Sequence, residues 1–273
     1  MNGLQLAIDQ STLSAFILAV ARTAGFVLVT PPFNTRSVPA RARAALVFAL
    51  ALPVLEGLRA TAPPLTSMLL LPQAVLQAAT GVALGFLVLA AVATLQAAGD
   101  LLDYIGGFSV SMALDPLMLV QTSVMGRLHQ ITAVTLLFVT DGHLMIVQGL
   151  TRSLQLSPAP FTSWRPVAEA ATSGLATLFL GALQIAAPVV AAMLIADVAL
   201  GLLTRAAPAL NAFSLAYPIK ILLTLLLAGL VITRLPDALG GLVEHAVLDI
   251  LRLSGDAASS GGAPGAGVPP GAG

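Results

Sequence analysis

An uncharged stretch of 40 residues, 60–99, constrains the fold of this chain more than any other feature. About 20 consecutive apolar residues are enough to cross the hydrocarbon core of a bilayer. Because lipid offers no hydrogen-bond partner to an unpaired backbone, a segment of this kind has to be helical or belong to a closed barrel. Its length and continuity predict a helical integral membrane protein.

The composition agrees with this prediction and excludes several classes of function. Hydrophobic residues make up 58% of the 273 residues and charged residues 9%, against about 25% charged in soluble proteins. The net charge is zero and no basic patch occurs, which argues against binding of nucleic acid. The absence of cysteine excludes disulfides and thiolate ligands. The first residues, MNGLQLAIDQSTLS, lack the positive region of a cleavable signal peptide.

Six apolar segments predict an all-α, polytopic membrane protein, with residues 1–253 forming a single helical domain. A helix over 73–104 would be about 48 Å long, well beyond a hydrocarbon slab of about 30 Å. Such helices must tilt, kink or leave the bilayer inside a protein assembly. The tail, 254–273, is rich in Gly, Pro, Ala and Ser and is predicted to be disordered. The apolar segments are 13–33, 44–58, 68–98, 128–150, 167–204 and 212–233.

Small residues at four-residue spacing, as in Gly81 and Gly85, permit close packing of membrane helices. The alternative is that alanine-rich helices produce such spacings by chance.

The segment 195–220 places charges and helix breakers between two apolar runs. Such groups are costly at membrane depth unless protein or trapped water satisfies them, so they indicate a membrane protein with a function beyond that of a simple anchor. Asp197 and Arg205 share a helix face but lie about 12 Å apart along the axis. Asp197 is therefore expected to pair with another subunit or with Lys220. The polar and helix-breaking candidates in this segment are Asp197, Arg205, Pro208, Asn211, Pro218 and Lys220.

Two further polar features interrupt apolar segments. Arg22 lies in the middle of the first segment, which predicts a buried partner or a wet path, or else a shorter or shifted helix. Asp141 and His143 flank Gly142 in the fourth segment and predict a helix end where they satisfy backbone groups. His129 would lie about 21 Å from His143 along one helix, too far for both to bind one metal ion.

A glycine pair after the long third segment opens a loop over 106–116. The glycines disfavour helix, and the proline at its end restricts the residue before it to extended geometry. An apolar loop of this kind either lines a cavity inside protein or forms a solvent-exposed turn. Its candidate residues are Gly106, Gly107, Phe108, Val110, Met112, Leu114, Asp115 and Pro116.

Other classes of membrane protein fit less well. An intramembrane serine protease would need a Gly-x-Ser-x-Gly setting, whereas Gly107-x-Ser109 is followed by Ser111. No phosphate-binding Gly-x-x-x-x-Gly-Lys-Ser/Thr motif occurs. The alternative from another class is a small-molecule secondary transporter with Asp197, Arg205 and Lys220 at its binding site. Transporters of that kind usually contain paired internal repeats, and no convincing repeat is present.

Four phrases, in order, resemble the FliR family of flagellar export-gate proteins, whose virulence counterparts are called SctT. The resemblance runs from about residue 13 to residue 233. The sequence departs from the family pattern at Ala209, where Gln is usual, and at Asp141, where flagellar members often have Asn. The phrases are RSVPARARAALVFAL, AAGDLLDYIGGFSVSMALDP, LLFVTDGHLMIV and ADVALGLLTRAAPALNAFSLAYPIKILL.

The resemblance implies a non-enzymatic subunit, without cofactor or metal, of the flagellar type III export gate. It places the chain in the bacterial inner membrane, at the flagellar basal body. FliP-like and FliQ-like subunits would join it in a helical channel for unfolded flagellar proteins, with an FlhB-like partner beside them. The loop over 106–116 would plug that channel at rest. A virulence-type secretion gate is the alternative, although the Gly-His-Leu and Ala-Pro-x-Leu-Asn-x-Phe phrases favour the flagellar one.

Overall fold

A computed structural model describes residues 10–35, 38–59, 62–108, 123–161, 163–207 and 212–261, and every regular element in these ranges is a helix. The prediction of an all-α fold is therefore confirmed for the described part of the chain. The helices are α1 (Gln10–Val29), α2 (Ala40–Ala51), a short 3-10 helix (Leu52–Val54), α3 (Leu55–Arg59), α4 (Leu70–Gly106), α5 (Val124–Val139), α6 (Gly142–Leu156), α7 (Arg165–Ala206), α8 (Ala212–Ile232) and α9 (Leu235–Gly261).

Three of these helices, α1, α4 and α7, are long and apolar enough to cross a membrane on their own. Two bent pairs, α5 with α6 and α8 with α9, reach the same requirement only together. The described residues thus contain three to five candidate spans, which confirms the polytopic character. Helix α4 has 37 residues and α7 has 42, or about 55 and 63 Å at 1.5 Å per residue. Both exceed a slab of about 30 Å, as the sequence predicts.

The six apolar segments differ from the helices in three places. The second segment changes to a 3-10 helix at Leu52, one residue before Pro53. The fourth is divided into α5 and α6 at Asp141, at the helix end that the sequence predicts. Helix α9 has no counterpart among the six apolar segments, because it alternates buried leucines with exposed charges instead of forming a continuous apolar run. It also continues to Gly261, so the start of the tail predicted to be disordered is helical, and residues 262–273 lie outside the described ranges.

The chain divides into two compact units, whereas the sequence analysis treats residues 1–253 as one domain. The first unit comprises Met1–Val88, Leu144–Ala171 and Ala246–Gly273. The second comprises Leu89–His143 and Thr172–His245.

In the first unit, glycines bring α1 and α4 into backbone contact. A Cβ on Gly25 would overlap the carbonyl oxygen of Ala78, and a Cβ on Gly81 would overlap that of Arg22. A Cβ on Gly85 would lie 2.8 Å from the side-chain oxygen of Thr30. Helices can approach this closely only where side chains are absent. Of the two interpretations that the sequence leaves open for the Gly81 and Gly85 pair, the structure shows close packing.

In the second unit, α4 makes close contacts with three other helices. A Cβ on Gly99 would lie 2.5 Å from the carbonyl oxygen of Met125 in α5. A Cβ on Gly181 in α7 would lie 2.8 Å from the methyl group of Thr94, and a Cβ on Gly106 would lie 2.5 Å from Oγ1 of Thr224 in α8. The carboxyl-terminal half of α4 is therefore packed at short range along its length.

Candidate functional site

Arg22, in the middle of α1, is completely buried and donates hydrogen bonds both to α4 and to backbone carbonyl groups near the end of α6. Its Nε donates to Oε1 of Gln77 in α4 at 2.5 Å. Its two terminal nitrogens donate to backbone carbonyl oxygens at and beyond the end of α6, at 2.7 Å to Ser157 and 2.7 Å to Ala159. Longer contacts of 3.4 Å reach the carbonyl oxygens of Ser153 and Pro158. One guanidinium group thus joins α1, α4 and the end of α6.

The charge of Arg22 is compensated by dipoles and not by a carboxylate, since no ion pair involving it occurs among the described residues. The carboxyl-terminal end of a helix carries about half a negative charge and four carbonyl groups without helical partners. Gln77 extends the network, because its Nε2 donates to the carbonyl oxygen of Pro158 at 2.7 Å. Of the alternatives that the sequence leaves open for Arg22, the structure shows a buried partner within an unbroken helix.

Asp197 in α7 and Lys220 in α8 form an ion pair with an N–O distance of 2.6 Å. Of the two partners that the sequence leaves open for Asp197, the structure shows the one in the same chain. The pair is not sealed from its surroundings, because the Asp197 side chain is 45% exposed and that of Lys220 20%. Pro218 lies inside α8, where it removes one helical hydrogen bond close to the lysine.

Arg205 remains apart from this pair. Its side chain is exposed and has no hydrogen bond or ion pair with any described residue. Pro208 and Asn211 lie outside the described ranges.

The predicted loop begins against the same face of α8 that carries Lys220. Gly106 packs on the side chain of Thr224, and Gly107, with a φ of +82°, would place a Cβ 3.2 Å from the ring of Tyr217. The first glycine is required for close approach and the second for a left-handed backbone. Thr224 also donates to the carbonyl oxygen of Lys220 at 2.8 Å.

The sequence does not predict this juxtaposition, because the loop and the charged residues of α8 are far apart along the chain. The spacing of 217, 220 and 224 does match one helix face, which is the only signal that could have revealed it. Of the loop candidates, Gly106, Gly107 and Phe108 are described. The others, Val110, Met112, Leu114, Asp115 and Pro116, lie outside the described ranges.

The helix end predicted near Gly142 is confirmed. Helix α5 ends at Val139, and Asp141 adopts a left-handed backbone with a φ of 57°. The Nδ1 of His143 donates to the carbonyl oxygen of Leu137 at 3.1 Å, and its ring lies 4.9 Å from that of Phe138. His143 thus satisfies a carbonyl group in the last turn of α5.

A polar cluster at the start of α5 was not predicted. The side chain of Ser123 accepts a hydrogen bond from the backbone N–H of Gly126 at 2.9 Å. The buried Asp103 accepts one from the N–H of Met125 at 3.3 Å. His129, also buried, lies 2.8 Å from the carbonyl oxygen of Met125 through its Nδ1. A carboxylate at a helix N-terminus is favourable, so the cluster fixes α5 on α4.

Comparisons with known proteins bear on the whole of this arrangement. Residues 13–246 match the family described as bacterial export proteins, family 1. The chain is 28% identical to the flagellar biosynthetic protein FliR of Escherichia coli over 249 residues, 90% of this chain and 93% of the relative. It is 30% identical to FliR of Bacillus subtilis over 216 residues, 76% of this chain and 82% of the relative.

A relative from another system is similar to the same degree. The surface presentation of antigens protein SpaR of Salmonella typhimurium is 30% identical over 203 residues, 74% of this chain and 77% of that protein. The residues matched to the family include Arg22, the Asp197–Lys220 pair and the glycines at the start of the loop.

We expect Arg22→Met to destabilise the chain severely. The substitution keeps much of the side-chain volume but leaves Gln77 and several carbonyl groups buried without a donor, at about 1–3 kcal/mol for each. The unfolding midpoint of Arg22→Lys should lie between those of Arg22→Met and the parent chain, because an ammonium group cannot reproduce the planar, forked donors of a guanidinium group. The measurement is the thermal unfolding midpoint in detergent, and equal midpoints for all three chains would contradict the prediction.

The matched control for that comparison is Arg165→Lys. Arg165 bonds Glu169 at 2.9 Å on the surface of α7, with both side chains mostly exposed. An exposed pair contributes about 0–1 kcal/mol, so this control should unfold close to the parent chain.

We expect an exchange of the two charges of the Asp197–Lys220 pair to restore the stability that either single substitution removes. Asp197→Lys alone should place two cations against each other and destabilise the contact of α7 with α8, and Lys220→Asp alone should do the same with two anions. The double variant restores an opposite-charge pair and should recover most of the loss, which is about 1 kcal/mol for a partly exposed pair. Arg205→Asp serves as the control without a partner. Strictly additive effects in the double-mutant cycle would contradict the pairing.

Proposed function

Because this chain belongs to family 1 of the bacterial export proteins, we propose that it is a subunit of the flagellar type III export gate at the basal body. The family membership makes it a membrane protein of a bacterial secretion apparatus. In our proposal it forms, with FliP-like and FliQ-like subunits and an FlhB-like partner, the channel through which unfolded flagellar proteins leave the cytoplasm.

The main support for this proposal is that the apolar surface of α7 is exposed. Only 22% of the most apolar 18-residue stretch of α7 is buried within the chain, whereas 61% of the corresponding stretch of α4 is buried. Large apolar side chains such as Leu194 and Ile195 are about two-thirds exposed on the same helix as the partly exposed Asp197. Lipid would cover these apolar side chains but would solvate the ion pair poorly. Helices of neighbouring subunits can cover the apolar side chains and also offer polar groups to the ion pair, which supports a subunit of a larger assembly.

The proposed role needs no chemistry in this subunit. A channel subunit supplies a path, a seal and contacts to its neighbours, and the energy for export comes from elsewhere. We propose that it is not an enzyme, that the enclosed Arg22 holds the fold of the subunit, and that the partly exposed Asp197–Lys220 pair serves assembly.

The loop over 106–116 is the proposed seal. Its first residues, Gly106 and Gly107, lie against Thr224 and Tyr217 of α8, which supports a fixed starting point for the proposed seal. Its apolar residues could close a channel at rest and yield to a passing chain, provided that the closed state is favoured by only a few kcal/mol.

A virulence-type gate is the second candidate, supported by the similarity to SpaR. Deleting the gene distinguishes the two proposals. Loss of flagella and of swimming, restored by the intact gene, is the expected result, whereas unchanged swimming with loss of virulence-type secretion would favour the alternative.

We expect the tagged chain to purify as a defined complex with FliP-like and FliQ-like subunits when these are co-expressed. Mass spectrometry of the purified particle measures its composition. The exposed apolar surface of α7 gives the physical reason, because it needs protein or detergent to cover it. A stable monomer under co-expression would overturn the proposed assembly.

We expect deletion of residues 109–113 to leave that complex assembled but to raise leakage of ions and small solutes across the membrane. The deletion removes the proposed apolar seal and keeps the glycine base. Dye or ion flux into vesicles containing the complex measures the leak. Assembly with a membrane as tight as that of the parent complex would show that the loop is only a turn.

A further inference from the structure

A cavity of about 490 Å³ lies in the second unit, where α8 ends and α9 begins. The two helices are bent by 56° at this corner, and Pro188 lies inside α7 on the wall of the cavity. Apolar side chains form most of the wall, including Val189 of α7 with Leu227 and Leu230 of α8. A second cavity of about 430 Å³ shares Gln184 and Ile185 with the first and extends along α9.

Two opposite charges and the amide of Gln184 are the polar groups that line this largely apolar space. Arg234 follows the end of α8, and Asp237 lies in the first turn of α9. They are three residues apart, yet neither side chain has an ion pair or a hydrogen bond with any described residue. The cavity is therefore lined by a cation and an anion that are not paired within the described part of the chain, which matches a zwitterionic group.

The position of the corner along the chain matches the surface of a membrane. Arg234 is the first charged residue after Lys220, and the residues between them are almost entirely apolar. The end of such a segment falls at the lipid headgroups, where arginine meets phosphate. In the first turn of α9, Pro236 has no N–H and the N–H of Ala238 bonds the carbonyl oxygen of Arg234 at 3.2 Å, so the guanidinium group of Arg234 is the contact offered to an anion.

We propose that this corner binds one phospholipid with a zwitterionic amine headgroup, such as phosphatidylethanolamine. Its phosphate contacts Arg234, its ammonium contacts Asp237, and one acyl chain occupies the largely apolar cavity between α7 and α8. The volume is within the usual range of small-molecule sites. A protein helix is about 10 Å across, so the cavity would hold only about one turn of it, whereas an acyl chain is thinner. The proposal does not depend on the export role.

Native mass spectrometry of the purified full chain, in its complex where one forms, tests this site. Phosphatidylethanolamine and phosphatidylglycerol are added in separate titrations. Arg234→Gln should weaken phosphatidylethanolamine binding by about tenfold, as expected for loss of a charge-assisted hydrogen bond. Asp237→Asn should weaken phosphatidylethanolamine and leave phosphatidylglycerol unchanged, because only the former carries an ammonium group.

The matched controls are Asp249→Asn and Arg252→Gln. These residues carry the same charges further along α9, lie 3.5 Å from each other and do not line the cavity. Both control variants should bind phosphatidylethanolamine like the parent chain. Leu227→Trp tests the acyl chain separately, because the larger side chain fills the cavity, and it should bind less of either lipid.

Three results would overturn the proposal. The first is unchanged phosphatidylethanolamine binding in Arg234→Gln, Asp237→Asn and Leu227→Trp, each folded as judged by its thermal midpoint. The second is equal weakening by the cavity and control variants, which would indicate a diffuse charge effect. The third is capture of a protein instead of lipid by a photo-crosslinker at Leu230 in intact cells, which would make the corner a protein interface.

Discussion

The buried guanidinium group of Arg22 is the interaction on which the first unit depends. A charge at this depth has to be satisfied by protein, because lipid and apolar side chains cannot solvate it. Here the compensation comes from Gln77 and from carbonyl groups at and beyond the end of α6. The same bonds that satisfy the charge also fix where α6 stops relative to α1 and α4. Placing one cation thus organises three helices that are distant in sequence.

Glycines bring the helices that Arg22 joins into close contact. Gly81 contacts the backbone of Arg22 itself, so the close crossing of α1 and α4 and the polar network occur at the same level. Along the rest of α4, Gly99 and Gly106 allow equally short contacts with α5 and α8. These contacts hold the carboxyl-terminal half of α4 at short range from both helices, and Gly107, directly after α4, lies against Tyr217 of α8.

Much of this fold could be predicted from apolar runs, because membrane helices must satisfy their backbones internally. The long helices and the helix end near Gly142 were predicted in this way and are confirmed. Helix α9 was missed, since its charged face conceals an amphipathic helix from a search for uncharged segments. The burial of Arg22 was one of the predicted alternatives, but its partners were not. Apart from Gln77, they are backbone carbonyls 131 to 137 residues away, and any residue type can supply a carbonyl.

The two units satisfy their charges in different ways, and the difference bears on where partners bind. The first unit encloses its central cation completely, so Arg22 has no need of another subunit. The second unit leaves the Asp197–Lys220 pair partly exposed among uncovered apolar side chains of α7. A neighbouring helix that covered those side chains would also take water from the ion pair, which strengthens the attraction between the two charges but adds a desolvation cost that further hydrogen bonds have to offset. A partner that supplied such bonds would stabilise the contact of α7 with α8. In our proposal, that contact links the exposed surface of α7 to the α8 face of Lys220 and Thr224, on which Gly106 packs.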